Sequence, residues 1–461
     1  MAEEEEKIKR SPRVDLTQGP VHQHLTRMAL PMIIGLMANM SFTFVDSYFI
    51  ARLGTDEVAA MGYITRVAMV IISLTIGLMA GVSSVVARVA GRGDQEEIKN
   101  LSTNTLYITF ALSIFVTIVG LATIDPLFSA MGANDQVLPL IREYMMIWYF
   151  SPLFIMLPMT GGAVMRALGD TKLQGNLMVI SAILNAILDP LLIFGYWGFP
   201  ELGLEGAAWA SFVTRFISFA IIFWSLYYQY HVISFGSQSI QNFTNSIKKI
   251  LHVGIPATGT NLIIPIVAVL IIAVVSRFGT EAVAATHVAT TVEMISLVLF
   301  FSASAVIGPF IGQNLGAGKF DRIDEAITKI TLFCLAWGAF VALILGLFAP
   351  SIAGIFRKEE AIVSLATSYL YVVPVSYGLY GLVMSVNAIF NSLGQPMPGV
   401  AISCLRVFFL QLPLFYYAAL YYDLETGFIT ISVSNVIAGI VAYYWVLSAI
   451  NKLRIAEENT A

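Results

Sequence analysis

Charge is scarce in this chain. Only 12% of its residues are Asp, Glu, Lys or Arg, whereas 57% are hydrophobic and the mean hydropathy is +0.80. A water-soluble protein of 461 residues cannot hide that much apolar surface behind so few charges. Cysteine is scarcer still. Cys334 and Cys404 both fall in apolar stretches, which excludes a disulfide framework and reads as small buried side chains. The five histidines are scattered without the spacing of a metal site. A Walker A loop, a Gly-x-Ser-x-Gly elbow and a His-Glu-x-x-His pair are all missing, so no enzyme and no resident cofactor is expected. A net charge of −4 gives no electrostatic footing for nucleic acid. The opening Glu3 to Glu6 is acidic and hydrophilic, unlike a secretory leader, and reads as the start of a solvated tail.

What is present is long apolar runs. The bilayer core is about 30 Å thick and needs roughly 20 apolar residues per helix. Twelve such spans are predicted, over residues 28–50, 58–87, 101–124, 141–165, 173–194, 203–227, 250–276, 283–311, 326–348, 361–390, 399–421 and 428–450. Backbone groups in lipid must be satisfied within the segment, so the spans are helices. Lys and Arg divide unevenly between alternate loops, about 17 against 5. The side rich in them includes both termini, which are therefore expected to be cytoplasmic. The expected location is the inner, cytoplasmic membrane of the cell.

An internal repeat organises these spans. Gly54-Thr55-Asp56-Glu57-Val58-Ala59-Ala60 recurs as Gly279-Thr280-Glu281-Ala282-Val283-Ala284-Ala285. Gly91-Arg92-Gly93 recurs as Gly316-Ala317-Gly318, Leu168-Gly169 as Leu393-Gly394, and Pro31 as Pro256. All four pairs lie about 225 residues apart, without a gap. The fold class is thus an all-α polytopic membrane protein of twelve transmembrane helices in two pseudo-symmetric six-helix bundles. The expected division is a tail over 1–27, an N-lobe over 28–230, a linker over 231–249, a C-lobe over 250–450 and a second tail over 451–461. The Gly-x-Gly stretches read as helix stops rather than phosphate cradles.

Ionisable residues inside the spans are few, and each costs several kcal/mol to bury unless paired, hydrated or protonated. Asp46 lies about 18 residues into the first span, about 27 Å up the helix. It reads either as a carboxylate at the outer interface or as one that faces a cavity and exchanges a proton. Asn185 and Asp189 are four apart on the fifth span and share a helix face. Pro190 removes a helical hydrogen bond next to them. Their oxygens suit a proton relay or an alkali cation, and equally a polar clamp between helices. Thr214 on the sixth span can join them, although a threonine more often bonds its own helix backbone. Pro31 with Gly35 reads as an ordinary helix start or as a hinge.

The C-terminal half does not repeat these acids. At the common spacing Asp46 meets Ile271, and Leu188-Asp189-Pro190 resembles Leu412-Pro413. A purely structural acid would be expected in both halves, so the coupling site is placed in the first. Glu293 and Arg406 are secondary candidates. Glu293 can contact a proton or cation, and Arg406 can bind an anion or pair with Glu293. Snorkelling or a structural pair is the commoner fate of such residues.

These features resemble the multidrug and toxic compound extrusion (MATE) transporters. The resemblance rests on the two six-helix repeats, the Gly-x-Gly turns, Ala167-Leu168-Gly169-Asp170, and Asn185-x-x-x-Asp189-Pro190-Leu191-Leu192-Ile193-Phe194-Gly195. Acids confined to the first half, with Asp46 in Phe44-Val45-Asp46-Ser47, resemble the DNA-damage-inducible-protein-F-type branch. The other bacterial branch has acids in its seventh and tenth spans, where this chain has Asn261 and Asn387. The resemblance implies two lobes arranged as a V and export of cationic or lipophilic organic compounds against H⁺ or Na⁺. It implies a hydrogen-bonded cluster at Asp46, Asn185, Asp189 and Thr214, with the Ala210 carbonyl beside it, which is also the possible Na⁺ site. It implies the hinge at Pro31. The expected partners are the lipid bilayer and small organic drugs, and the expected state is a monomer. The alternatives are a flippase for a lipid-linked precursor, for which Arg66, Arg215 and Arg406 supply little central positive charge, and a membrane enzyme or scaffold.

Overall fold

The structure is a computed structural model that describes residues 14–234 and 239–459. Most of the expected N-terminal tail, including Glu3 to Glu6, lies outside the described residues, as do linker residues 235–238 and the last two residues of the C-terminal tail. No strand occurs among the described residues.

The helices are α1 Val21–Ala51, α2 Thr55–Arg92, α3 Gln95–Ala130, α4 Val137–Trp148, α5 Pro152–Ala167, α6 Lys172–Phe194, α7 Leu204–Trp224, α8 Ile240–Val275, α9 Thr280–Ser296, α10 Val298–Gly316, α11 Phe320–Phe356, α12 Glu360–Val372, α13 Tyr377–Ser392, α14 Pro396–Cys404, α15 Leu412–Tyr421 and α16 Leu424–Glu458. Two π-helical segments extend α7 and join α14 to α15, at Ser225–Gln229 and Leu405–Gln411. Among the described residues eleven helices are long and apolar enough to cross a bilayer, and α4 with α5, bent by 51°, supplies a twelfth span. The predicted span over 283–311 is interrupted. Leu297 separates α9 from α10, while its N–H still reaches the Glu293 carbonyl at 2.9 Å. Neither proline nor glycine marks that break in the sequence.

The chain forms two compact units. Unit 1 holds Leu30–Gly254 and the chain just before Leu16, and unit 2 holds Leu16–Ala29 and Ile255–Ala461. Helix α1 therefore opens in unit 2 and runs into unit 1, and α8 does the reverse. Both changeovers come just before a repeated proline, Pro31 and Pro256. The repeat is visible in backbone conformation too. Gly93 and Gly318 have φ of 77° and 66°, and Gly169 and Gly394 have φ of 86° and 74°, the left-handed region in which glycine stops a helix at no steric cost.

Within unit 1, Val82, Val86, Leu101, Ala163 and Met165 belong to one buried apolar cluster, and Ile64, Phe128, Ile141 and Met145 to a second. Thr109 and Thr160 share a hydrogen bond of 3.1 Å between α3 and α5. Helix α6 comes close to α1 through Gly175, where a Cβ would run into the Pro31 carbonyl. Gly175→Ala is therefore expected to destabilise the protein by about 1–3 kcal/mol through overpacking against backbone. Gly259→Ala, at a position with nothing within 4 Å, is expected to leave the thermal midpoint nearly unchanged. Equal midpoints for the two variants would refute this packing.

Within unit 2, Gly338 and Gly378 let α11 and α13 approach backbone to backbone, and Phe300 packs over Gly381. The segment before α1 is tied down here. Leu16 N–H donates to Gln313 Oε1 at 3.0 Å, Lys319 Nζ donates to the Thr17 carbonyl at 2.7 Å, and Arg322 donates to the carbonyls of Gly19 at 2.6 Å and Leu16 at 2.9 Å. Large apolar side chains point outward along the helices, for example Leu332, Leu343 and Leu347 on α11. Such faces suit lipid rather than water.

Candidate functional site

Four helices of unit 1 bring a polar cluster together. Asp46 comes from α1, Tyr144 from α4, Asn185 and Asp189 from α6, and Ala210, Ser211, Thr214 and Arg215 from α7. Gly206 permits the approach of α7 to α6, because a Cβ there would overlap the Leu192 carbonyl, one turn beyond Asp189. Helix α6 stays helical through Pro190, which has no N–H to donate to the Ala186 carbonyl.

Asp189 and Asn185 are fully buried, and Asp46 is 9% exposed. Asn185 Nδ2 donates to Asp189 Oδ1 at 3.0 Å, as the four-residue spacing predicts. The two carboxylates lie within electrostatic reach of each other, and Asp46 lies within reach of Arg215. Tyr144 stands among all three and meets Ser211 by a side-chain hydrogen bond. The Arg215 guanidinium also covers the Trp148 ring, 5.8 Å from its centroid.

Several polar atoms in this cluster are buried without a hydrogen-bond partner. They are Asp46 Oδ1, Asp189 Oδ2, Asn185 Oδ1 and Arg215 Nη1. Leaving such atoms unpaired is costly, so their concentration in one place makes the cluster the candidate site of unit 1. With both acids ionised, two carboxylates face one guanidinium, and one proton or one monovalent cation makes the cluster neutral.

Thr214 Oγ donates to the Ala210 carbonyl at 2.8 Å, a bond within its own helix that leaves the hydroxyl lone pairs able to accept. Among the described residues no three His, Cys, Asp or Glu side chains are grouped to hold a metal ion. Pro31 and Gly35 lie within helical α1, and Gly35 packs against Gly175 and Met178 of α6. Sequence reasoning passed over Tyr144 and did not place Arg215 in the cluster. The available signal was an arginine one residue beyond Thr214 on a span already under suspicion.

Unit 2 brings Glu293 and Arg406 into electrostatic reach without an ion pair. Glu293 Oε2 accepts from the Tyr369 hydroxyl at 2.5 Å, and Arg406 Nη1 donates to Asn435 Oδ1 at 3.2 Å. Asn261 and Asn387 stand apart from this pair in their bonding. Asn261 donates to the Ala257 carbonyl at 2.8 Å and Asn387 to Ser403 at 3.0 Å.

Comparison with known proteins agrees with this architecture. The family model described as MatE matches twice, over residues 31–191 and 256–417, at the spacing of the internal repeat. The chain is 34% identical to the FAD transporter of Shewanella oneidensis, over 94% of this chain and 96% of that one. It is 24% identical to the probable multidrug resistance protein YoeA of Bacillus subtilis, over 88% of each. Among solved structures it is similar to the Vibrio cholerae MATE transporter VcmN in the bent form, with a TM-score of 0.89, 30% identity, and coverage of 94% of this chain and 98% of that one.

Proposed function

We propose that this chain, which belongs to the MatE family, exports organic solutes by alternating access, driven by H⁺ or Na⁺ moving inward through the cluster of unit 1. It is a multi-pass membrane protein and a secondary transporter rather than an enzyme. The observation that carries the coupling assignment is the set of buried, unpartnered oxygens on Asp46, Asp189 and Asn185 beside a single guanidinium. A coupling ion is useful only if it binds one lobe arrangement better than the other. A cluster that is one charge short of neutral supplies such a difference, because it admits one H⁺ or one Na⁺ before it can be shut away from water.

Asp46 and Asp189 are the exchanging groups, Asn185 orients Asp189, and Thr214 with the Ala210 carbonyl closes the cluster. Pro31 and Gly35 supply the bend of α1. Asp46 and Asp189, both in the first half, support the DNA-damage-inducible-protein-F-type branch as the reading we propose. The Lys and Arg bias of the loops supports cytoplasmic termini and an inner-membrane location, and a monomer is the state we propose with them.

Two substrate classes follow from the relatives. The multidrug resistance relatives favour cationic and lipophilic organic compounds, and the FAD transporter at 34% identity favours a flavin nucleotide. Everted vesicles with the pH gradient and the Na⁺ gradient imposed separately test the coupling. Accumulation of ethidium or FAD under the pH gradient alone is the expected result. Strict dependence on Na⁺ assigns the same cluster to an alkali ion, and indifference to both gradients removes the assignment.

A further inference from the structure

Unit 2 holds a buried polar group that the coupling reading leaves unused. The π-helical segment Leu405–Gln411 interrupts the span between α14 and α15, and Arg406 is its second residue. Such π turns lose regular i→i−4 bonding and occur mostly where a side chain must be aimed. The Arg406 guanidinium lies over the Tyr380 ring, 4.5 Å from its centroid. Its Nη1 meets only neutral acceptors, Asn435 Oδ1 at 3.2 Å and Gln411 Oε1 at 3.5 Å. Its Nε is buried with no partner. Among the described residues no carboxylate lies within 4.0 Å of it.

Glu293, the acid within electrostatic reach, is already engaged, since it takes the Tyr369 hydroxyl at 2.5 Å. A second donor stands open beside it. The Tyr377 side chain is 0% exposed, its hydroxyl has no partner, and it lies within electrostatic reach of Glu293, Tyr369 and Tyr380. The unsatisfied Nε of Arg406 is a charged donor and calls for an acceptor that carries negative charge, and the open Tyr377 hydroxyl shares Glu293 and Tyr380 with it as neighbours.

The repeat sharpens the contrast. Tyr144 and Tyr369 occupy equivalent positions, about 225 residues apart, and each stands beside its unit's acid. In unit 1 two carboxylates outnumber one arginine. In unit 2 one carboxylate is held by tyrosine and the arginine is left without a counter-ion at contact distance. The first arrangement attracts a cation, and the second leaves guanidinium donors open to an anionic oxygen.

We propose that Arg406, with the Tyr377 hydroxyl, recognises an anionic oxygen of the transported solute, on a phosphate or carboxylate group. This rests on the exporter reading and names its substrate class. Glu293 is the internal anion with which the solute competes. The phosphate can belong to a soluble solute or to a lipid headgroup.

The test uses the full chain in maltoside micelles freed of phospholipid. FAD and riboflavin carry the same ring system, with and without the pyrophosphate, and both report binding through flavin fluorescence. FAD is expected to bind about tenfold or more tightly than riboflavin, with pyrophosphate as a competitor. Arg406→Gln is expected to remove that preference while riboflavin binding persists, and Arg406→Lys to keep part of it, both at unchanged elution volume. A merely structural arginine would move both flavins together. Displacement of FAD by added phosphatidylglycerol identifies a lipid phosphate at the same site, and no displacement identifies a soluble solute. Equal binding of the two flavins by the native chain, or an unchanged preference in Arg406→Gln, overturns the proposal. Gradient-driven transport of ethidium and of FAD in vesicles separates the two readings. If either persists while the flavin preference fails the test above, only the anion site fails. If both are absent from the native chain while FAD binding depends on Arg406, the exporter reading fails and the anion site stands.

Discussion

Asp46→Asn is expected to lower gradient-driven efflux by about two orders of magnitude, to the leak of empty vesicles, while the protein still reaches the membrane. The substitution is nearly isosteric. Asparagine fills the same volume and keeps an oxygen that can face Arg215. What it loses is the ability to change charge. With Asp46 ionised the cluster holds two carboxylates against Arg215 and draws one H⁺ or Na⁺. With asparagine there, Asp189 and Arg215 balance each other, so the cluster is neutral in both lobe arrangements. An ion with equal affinity for both states shifts neither, however tightly it binds. The solute can then still move downhill, but the gradient cannot drive it.

The contrast between driven and downhill flux is the discriminating measurement. Asp46→Asn is expected to retain solute exchange between equal pools and to lose concentrative uptake into everted vesicles. Asp46→Glu, which keeps the charge and lengthens the arm, is expected to recover part of the concentrative flux. Native concentrative flux in Asp46→Asn would remove Asp46 from the coupling cluster. Loss of both fluxes with loss of protein from the membrane would show a structural role instead.

Much of this molecule is legible in the sequence where physics acts locally. Hydropathy reports the spans because lipid tolerates only continuous apolar helices. The helical repeat reports the Asn185–Asp189 bond, because four residues bring side chains onto one face. The Gly-x-Gly stretches report helix stops that the backbone then adopts at Gly93 and Gly318. What stays hidden depends on distant pairing. Arg322 and Lys319 hold the chain at Leu16 to Gly19, across about 300 residues, and nothing local to either segment announces it. The break at Leu297 lacks the proline or glycine that would flag it. Tyr144 is invisible for another reason. A tyrosine in a span ordinarily reads as part of the aromatic belt, and only the fold shows that it faces two carboxylates. Its match with Tyr369 at the repeat spacing was readable from the start.

Arg215 is the residue whose loss is expected to cost the most stability. Its guanidinium is, among the described residues, the cation in electrostatic reach of Asp46 in a cluster that also holds Asp189, and part of it is buried without a partner. Asp46 and Arg215 lie within electrostatic reach without an ion pair at 4.0 Å, so removing the arginine leaves a buried carboxylate less compensated, at a cost approaching the about 3–5 kcal/mol of a broken buried pair. Arg215→Gln is therefore expected to lower the thermal midpoint sharply and to reduce the amount of protein in the membrane. The stranded partner is Asp46, so neutralising it should relieve the strain. The double variant Asp46→Asn with Arg215→Gln is expected to regain most of the stability lost in Arg215→Gln alone, although it remains inactive in concentrative transport. Such non-additivity is the signature of electrostatic coupling between the two groups, because independent sites add within a few tenths of a kcal/mol. Asp189→Asn in place of Asp46→Asn should rescue less, since Asp189 already has Asn185 as its hydrogen-bond partner. Additive losses in the double variant would separate Arg215 from Asp46 and dissolve the charge count on which the exchange of a single cation depends.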